Sequence, residues 1–253
     1  MTFCIGLKCE QGLVAIADTR ITSGSAVTTG KKISVHQNGQ HGMFILTSGL
    51  RSVRDKAITY FEERLREAEP SLDRMYKAAN TLSQEIRRVY VEDEEWLARS
   101  GFSFDLHCIL GGQMQADEDH HLYLIYPQGN WVEVTVGSPY AIIGESSYGK
   151  PMLDRAWRYD GTLEQALRVG LISFDATRTS ASDVGPPVDA VLYRRDSYEM
   201  KEHRFTAEDL APVSDYWRGA MQAAVELAVP SITPRAAALG ADAAPGSGSQ
   251  PKR

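Results

Sequence analysis

The chain has 253 residues, 43% of them hydrophobic, and a formal net charge of -6 at pH 7, a balance that argues against a dedicated nucleic-acid-binding protein with a basic patch. No apolar run approaches the roughly 18 residues that a membrane-spanning helix needs, and the N-terminus lacks the pattern of a secretory signal. We therefore expect a soluble, cytoplasmic protein whose partners include neither nucleic acid nor a membrane.

The first half of the chain predicts two strand pairs followed by two helices. Turns at Glu10–Gly12 and around Asn38–Gly39 separate short β-rich runs, and Asn-Gly supplies the positive φ that a hairpin turn requires. Apolar residues then recur every three or four positions, which is typical of amphipathic helices. The predicted strands cover 3–9, 13–17, 33–36 and 43–48, and the predicted helices cover 51–69 and 71–98.

The second half predicts a second sheet, two more helices, a strand and a last helix. The strands at 105–110, 121–125, 131–136 and 141–143 are assigned to the second sheet; helices at 150–158 and 163–174, a strand at 188–194 and a helix at 207–227 follow. This order predicts an α+β fold, a four-layer α/β/β/α sandwich of two antiparallel sheets flanked by helices. We expect one domain over residues 1–228 and a flexible Pro, Ala and Gly-rich tail over 229–253.

Thr2 is the first candidate for chemistry. Once Met1 is removed, Thr2 carries a hydroxyl and a free α-amine, which together form a nucleophile and its own base. The ordinary pKa of an α-amine is about 7.7–8.0, close to working pH. Threonine is also a common second residue, so Thr2 alone does not decide the function.

Three residues at the ends of predicted elements complete a site around Thr2. Asp18 ends the second strand, Lys32 precedes the third, and Gly49 lies between a strand and a helix. Hairpin pairing would bring Asp18 and Lys32 near the strand that begins at Thr2. The Lys32 ammonium would then lower the pKa of the α-amine, Asp18 would hold Lys32, and the Gly49 N–H would stabilise an oxyanion.

Each of these residues also has an ordinary structural interpretation. An Asp at a strand end commonly forms a turn, the adjacent pair Lys31 and Lys32 can be a solvated surface pair, and Gly49 can be a simple connector. Their joint order along the chain favours the catalytic interpretation.

That order resembles the proteasome β-subunit family of N-terminal nucleophile hydrolases. The family has an N-terminal Thr, an Asp and an Arg two residues apart near the second strand, a Lys before the third strand and a Gly in the oxyanion hole. These positions match Thr2, Asp18, Arg20, Lys32 and Gly49. The spacing between the Asp and the Lys is shorter here than the family pattern.

Within that family the chain is most similar to the bacterial Anbu proteins, the ancestral β-subunit group. This resemblance rests on Met1–Thr2 without a propeptide and on the segments Gly144–Pro151 and Ser182–Asp189, and it spans residues 2 to about 228. It implies the N-terminal nucleophile hydrolase fold.

The resemblance implies further roles. The family's Gly-Ser-Gly loop is replaced by Gly144-Glu145-Ser146-Ser147, which gives Ser146 the role of anchoring the amine, with Ser147 as its neighbour. Ser182 and Asp183 are supporting candidates, and Thr47 would line the first substrate pocket.

As a function, the resemblance implies a threonine peptidase, an endopeptidase acting on peptides or unfolded proteins, with no metal or organic cofactor. It also implies a homo-oligomer, a ring or a ring-like helix. The helices at 51–69 and 71–98 are the expected contact elements, although their apolar stripes fit a plain core equally well. An unfolding ATPase as partner stays open. The alternatives are a small-molecule or cell-wall amidase on the same fold, and a noncatalytic assembly scaffold that retains Met1.

The cysteines and histidines independently argue against a metal centre. Cys4, Cys9 and Cys108 are too few and too scattered for a disulfide framework or a four-ligand zinc site, and no His-Glu-x-x-His spacing occurs. We expect the three cysteines to be reduced.

Overall fold

The computed structural model describes residues 2–68 and 72–241, which form twelve strands and five helices. One five-stranded antiparallel sheet has the strand order β10-β1-β2-β11-β12, and a second has the order β5-β6-β7-β8-β9. A short hairpin, β3–β4, stands apart from both. The strands are β1 (Phe3–Cys9), β2 (Gly12–Asp18), β3 (Arg20–Ser23), β4 (Ala26–Thr29), β5 (Ile33–Asn38), β6 (His41–Gly49), β7 (Leu106–Met114), β8 (His121–Ile125), β9 (Trp131–Glu133), β10 (Tyr140–Gly144), β11 (Val188–Arg194) and β12 (Met200–Phe205).

Within the described residues, five helices accompany the two sheets. They are α1 (Arg51–Ala68), α2 (Met75–Arg99), α3 (Lys150–Ala156), α4 (Leu163–Ser180) and α5 (Ala207–Ala241). Helices α1 and α2 pack on the second sheet, and α4 packs on β1 and β2 of the first. The predicted four-layer α/β/β/α sandwich is therefore confirmed.

Strands β1 and β2 are buried along their whole length because both of their faces are covered. On one face, Cys4 and Ala15 join Phe44, Leu46 and Ile109 of the second sheet in the core between the sheets. A strand with no solvated face is held firmly in position, since exposing either face removes apolar area from the core. The two ends of this hairpin, beside Thr2 and at Asp18, are consequently well placed to support a site.

Strand β10 corrects the predicted composition of the sheets. The sequence assigns 141–143 to the second sheet, but β10 pairs antiparallel with β1 of the first, with Phe3 opposite Gly144 and Leu7 opposite Tyr140. The pairing joins segments far apart in the chain, and local alternation of apolar residues carries no information about such a partner.

The structure also contains strands that the pattern missed. β3 and β4 form a hairpin in which β4 is exposed throughout, and β12 exposes most of its side chains at the edge of the first sheet. Neither has the alternation that marks a half-buried strand. Six strands rather than four precede the first helix.

The last helix extends to Ala241, beyond the predicted end at 227. Contacts between Cα atoms divide the chain into two compact units, Met1–Ala211 and Pro212–Arg253, so this division lies upstream of the expected boundary at 228. The part of the predicted flexible tail at 242–253 lies outside the described residues. No helix in the described ranges is both long and apolar enough to cross a membrane.

Candidate active site

A cavity of about 580 Å³ lies beside Thr2, between the start of β1 and the loops that leave the second sheet. Thr2 is partly buried there. Of the candidates from the sequence, Thr2, Lys32, Thr47 and Gly49 line this cavity together. Residues far apart in the chain are thus brought to one wall.

Asp18 lies directly beneath this wall and binds Lys32. The Lys32 Nζ is 2.7 Å from Asp18 Oδ1, and the side chains of Lys32 and Asp18 are only 4% and 0% exposed. The Phe3 N–H donates to the same Oδ1 at 2.9 Å, so the carboxylate also holds the residue that follows Thr2. Asp18 therefore fixes both the lysine and the start of β1.

Burial raises the pKa of Asp18, and it is the strongest influence on this group. The Lys32 ammonium and the Phe3 N–H act in the opposite direction and stabilise the carboxylate. The nearby Gly185 N–H also lowers the pKa of Asp18. It is too poorly placed to count as a hydrogen bond, since the second carboxylate oxygen of Asp18, Oδ2, has no hydrogen-bond partner among the described residues. The Asp18 carboxylate thus lies in a buried environment that disfavours its charged form, and Lys32 and the Phe3 N–H offset this cost.

Lys32 reaches Asp18 from the other sheet, which corrects the expected route. The sequence suggested hairpin pairing, but Lys32 precedes β5 of the second sheet and Asp18 ends β2 of the first. The Lys32 ammonium also donates to the Arg20 carbonyl at 2.7 Å. Packing of one sheet on the other therefore assembles the pair.

Gly49 has a backbone conformation that suits only glycine. Its φ is +135°, and a Cβ at this position would lie 2.1 Å from the Asp105 carbonyl oxygen. The residue ends β6 immediately before α1, and the Leu50 N–H donates to the same carbonyl at 3.0 Å. The turn from β6 to α1 at the cavity rim is therefore held by main-chain contacts with Asp105.

Gly144 and Glu145 hold Thr2 from the neighbouring strand, and the sequence analysis gave them no role. The Glu145 N–H donates to the Thr2 carbonyl at 2.7 Å. A Cβ on Gly144 would lie 2.0 Å from that carbonyl oxygen, so only glycine allows this approach. Gly144, a glycine at the end of a strand, was the one feature of the sequence that could have indicated this close backbone approach.

Ser146, predicted to anchor the amine, and its neighbour Ser147 follow Glu145 in this loop. Ser146 is partly buried and Ser147 is exposed, and neither lines the cavity. In the described part of the chain, the Ser146 carbonyl accepts from the Lys150 N–H, and the Ser147 N–H donates to the Glu145 carboxylate. Glu145, through its backbone, makes the contact with Thr2.

Arg20 joins the ion pair to the loop that contains Ser182 and Asp183. Its carbonyl accepts from Lys32, and its Nη1 donates to the Ser182 carbonyl at 2.6 Å. A Cβ on Gly185 would lie 2.6 Å from Arg20 Nε, so the loop packs closely on the guanidinium. Neither Ser182 nor Asp183 lines the cavity, and both belong to the supporting loop.

Thr47 and Cys4 complete the surroundings of Lys32. The Thr47 N–H donates to the Lys32 carbonyl at 3.1 Å, and Thr47 is 5% exposed at the cavity wall. Burial raises the pKa of the Cys4 thiol, so this cysteine is uncharged beside the ion pair. Within the described ranges, no group of three or more His, Cys, Asp or Glu side chains is placed to hold a metal ion.

Known proteins match this chain over most of its length. Residues 2–184 match the family model described as "Proteasome subunit". A curated relative, proteasome subunit beta 2 of Pyrobaculum islandicum, is 23% identical over 211 residues, which cover 82% of this chain and 96% of the relative.

Solved structures of Anbu proteins are similar over most of the chain. The Anbu (ancestral beta-subunit) structure from Yersinia bercovieri is 29% identical with a TM-score of 0.82, covering 88% of this chain and 96% of the other. The helical assembly of the Anbu complex from Pseudomonas aeruginosa is 31% identical with a TM-score of 0.82, covering 88% and 95%.

Proposed function

Since the chain belongs to the proteasome subunit family, we propose that it is an N-terminal threonine peptidase that cleaves peptide bonds through Thr2 after removal of Met1. The observation that carries the proposal is the buried Lys32–Asp18 pair, which meets the start of β1 beside the cavity that Thr2 lines. The substrates are peptides or unfolded protein segments.

The proposed reaction begins with attack of the Thr2 hydroxyl oxygen on a peptide carbonyl. The α-amine of Thr2 takes the hydroxyl proton and later returns it to the leaving amine, so that an acyl ester forms on Thr2. Water then attacks the ester and releases the acid product. Attack on the peptide and attack of water on the ester both need the α-amine in its neutral form, whereas departure of the leaving amine needs the protonated form.

Lys32 and Asp18 have separate tasks in this reaction. The Lys32 ammonium lowers the pKa of a neighbouring amine and stabilises negative charge that develops on the Thr2 oxygen. Asp18 holds the ammonium through Oδ1 and orients the Phe3 N–H next to Thr2. The Gly49 N–H is the oxyanion donor, and the rigid turn at Gly49 fixes its direction.

The burial of the ion pair supports a chemical rather than a stabilising role. Removing two charges from water costs several kcal/mol for each ion, and replacing such pairs with apolar residues often leaves stability unchanged. A lysine that is almost fully buried beside a cavity is therefore better explained by what its charge does there.

We further propose that the chain acts as a cytoplasmic homo-oligomer. The Pseudomonas aeruginosa relative is described as a helical assembly, and a ring or a ring-like helix would confine the cavities. Confinement restricts the access of folded proteins to a peptidase site.

The test combines the mass of the N-terminus with turnover of a peptide panel. We expect a mass without Met1, cleavage by wild type, and loss of cleavage in Thr2→Ala with partial activity in Thr2→Ser. Thr22→Ala is the matched control because Thr22 lines the same cavity but has no place in the mechanism. Retained Met1, or cleavage that survives Thr2→Ala, would overturn the proposal.

A further inference from the structure

The wall of the cavity beside Thr2 is rich in cations. Lys32, Arg51 and Arg54 line it, whereas Asp105 is the one carboxylate among the described lining residues. Lys32 is already engaged by Asp18 at 2.7 Å. The two arginines, both on α1, bind Asp55, which is 53% exposed, and they are the cations of this wall that are not paired with a buried carboxylate.

Arg54 is the more deeply placed of the two arginines. Its side chain is 17% exposed, whereas that of Arg51 is 67% exposed. Arg54 donates through Nε and Nη2 to Asp55 Oδ1 at 2.8 and 2.6 Å, and its Nη1 has no hydrogen bond to another described residue. A guanidinium has five N–H donors, so this one keeps donors free for a ligand.

Two carboxylates, Asp55 and Asp105, equal the arginines in number but are more exposed than Arg54. The side chains of Asp55 and Asp105 are each 53% exposed, and solvent weakens the field of an exposed charge more than that of a buried one. Asp105 also contacts His107 Nδ1 at 3.1 Å. Arg54 is therefore the least exposed of these four charged groups.

The start of α1 adds to the positive potential. Residues 49–51 line the cavity at this helix end, and the first turn of α1 contains no acidic residue. The N-terminus of a helix carries a partial positive charge that falls off within one turn. The N-terminus of α1 and the Arg54 guanidinium, one turn later, thus both favour a negatively charged group in the cavity.

We propose that Arg54 selects peptides with an acidic side chain immediately before the cleaved bond, an inference that rests on the proposed function. A Glu or Asp carboxylate at that position accepts from the free N–H groups of Arg54, and charge-assisted hydrogen bonds of this kind are the strong ones. A Lys or Arg side chain there meets a cation of the same sign.

The test measures kcat/KM for three reporter peptides that differ only in Glu, Leu or Lys before the cleaved bond. Wild type is expected to prefer Glu over Lys, and Arg54→Met to lower turnover of the Glu peptide about 10- to 100-fold. Arg54→Glu should reverse the preference toward Lys, a gain that misfolding does not produce. Arg64→Met, on the same helix but outside the cavity, is the control and should change the preference less than about threefold.

A binding measurement separates this inference from the peptidase proposal. Product peptides ending in Glu or Lys are titrated into the Thr2→Ala variant, which needs no chemistry to bind them. Tighter binding of the Glu product that is lost in Thr2→Ala with Arg54→Met supports the subsite even if wild type cleaves nothing. Equal binding of the two products, or turnover without a Glu preference, overturns the inference.

Discussion

Two ionic clusters in this protein use the same side-chain chemistry in opposite environments. Beneath the cavity, Lys32 and Asp18 are 4% and 0% exposed. On the outer surface, Lys56 of α1 binds Glu92 and Asp93 of α2 at 2.6 and 2.8 Å, and these three side chains are 30–35% exposed. The distances are nearly equal, so the difference between the clusters is burial.

Burial changes what an ion pair costs and what it does. The pair on α1 and α2 keeps much of its hydration, and such pairs contribute little to stability. The pair of Lys32 and Asp18 has lost its hydration, and only mutual attraction and added hydrogen bonds offset that loss. Equal geometry therefore predicts unequal consequences of mutation, and this inequality can be measured.

The largest expected effect comes from breaking the buried pair. Lys32→Met leaves the Asp18 carboxylate buried without its cation, and we expect the free energy of unfolding to fall by about 3–5 kcal/mol. Peptide turnover should fall by at least about 100-fold, because the charge beside Thr2 is gone. Denaturant unfolding and steady-state kinetics measure the two effects.

Two variants sharpen that result. Lys31→Met removes the adjacent lysine, whose 49% exposed side chain binds Glu202, and it should change neither quantity appreciably. Lys32→Met combined with Asp18→Leu should recover stability relative to Lys32→Met but not activity. Full peptide turnover by the double variant would show that the Lys32–Asp18 pair has no chemical role.

The second prediction concerns the backbone at Gly49, which lines the same cavity as Lys32. Gly49→Ala would place a Cβ 2.1 Å from the Asp105 carbonyl oxygen at a φ of +135°, and we expect a loss of roughly 2–4 kcal/mol in unfolding free energy. Turnover should fall further than the folded fraction does, because the oxyanion donor is displaced. Chemical denaturation and activity per folded molecule test this.

Gly101→Ala is the matched control. Gly101 lines the same cavity and has a positive φ of +77°, but a Cβ there meets no atom within 4 Å. It should cost only about 1 kcal/mol, the strain of the backbone conformation alone. Equal losses in the two variants would show that backbone conformation, and not the contact with Asp105, constrains Gly49.

The sequence predicted the residues of the buried cluster better than the way they meet. Asp18 and Lys32 lie where apolar runs end and begin, and such boundaries are visible in one chain. Their contact depends on one sheet packing on another, which no local pattern encodes. The predicted hairpin pairing does place Asp18 beside the start of β1. It does not bring Lys32 there, although the two residues do bind each other.

The parts that escaped prediction are those that depend on backbone partners. The pairing of β10 with β1 and the hydrogen bond from Glu145 to Thr2 use main-chain groups that every residue has. Residue identity does not reveal them. The role assigned to Ser146 stays a prediction, since Ser146 is not among the residues that line the cavity with Thr2.

A third prediction uses the opposite pKa shifts of the two clusters. Burial raises the pKa of Asp18, whereas the hydrogen bond from Lys56 lowers the pKa of Glu92. A raised pKa means that the folded state holds the proton more tightly, so the contribution of Asp18 to stability decreases as pH rises through its folded-state pKa. The lowered pKa of Glu92 contributes stability above the ordinary Glu value, and this is lost as pH falls.

Unfolding free energy measured from about pH 4 upward, above the ordinary Asp pKa of about 3.9, separates the two signs. Asp18→Asn should make stability rise more steeply with pH than in wild type, because a contribution that opposes the rise is removed. Glu92→Gln should make it rise less steeply at the acid end. Parallel slopes for the two variants would contradict the contrast between the clusters.

The smallest effect is expected at the surface cluster itself. Lys56→Met removes the cation between Glu92 and Asp93, but water and Arg88, which binds Glu92 at 3.1 Å, remain to solvate the carboxylates. We expect a shift in melting temperature of less than about 3 °C. In about 1 M salt, where charges are screened within about 3 Å, the shift should shrink further. The corresponding loss in Lys32→Met should persist in salt, because ions do not enter the buried site. A salt-insensitive loss in Lys56→Met would mean that α1 and α2 depend on this cluster for packing, and that exposure alone does not separate the two regions.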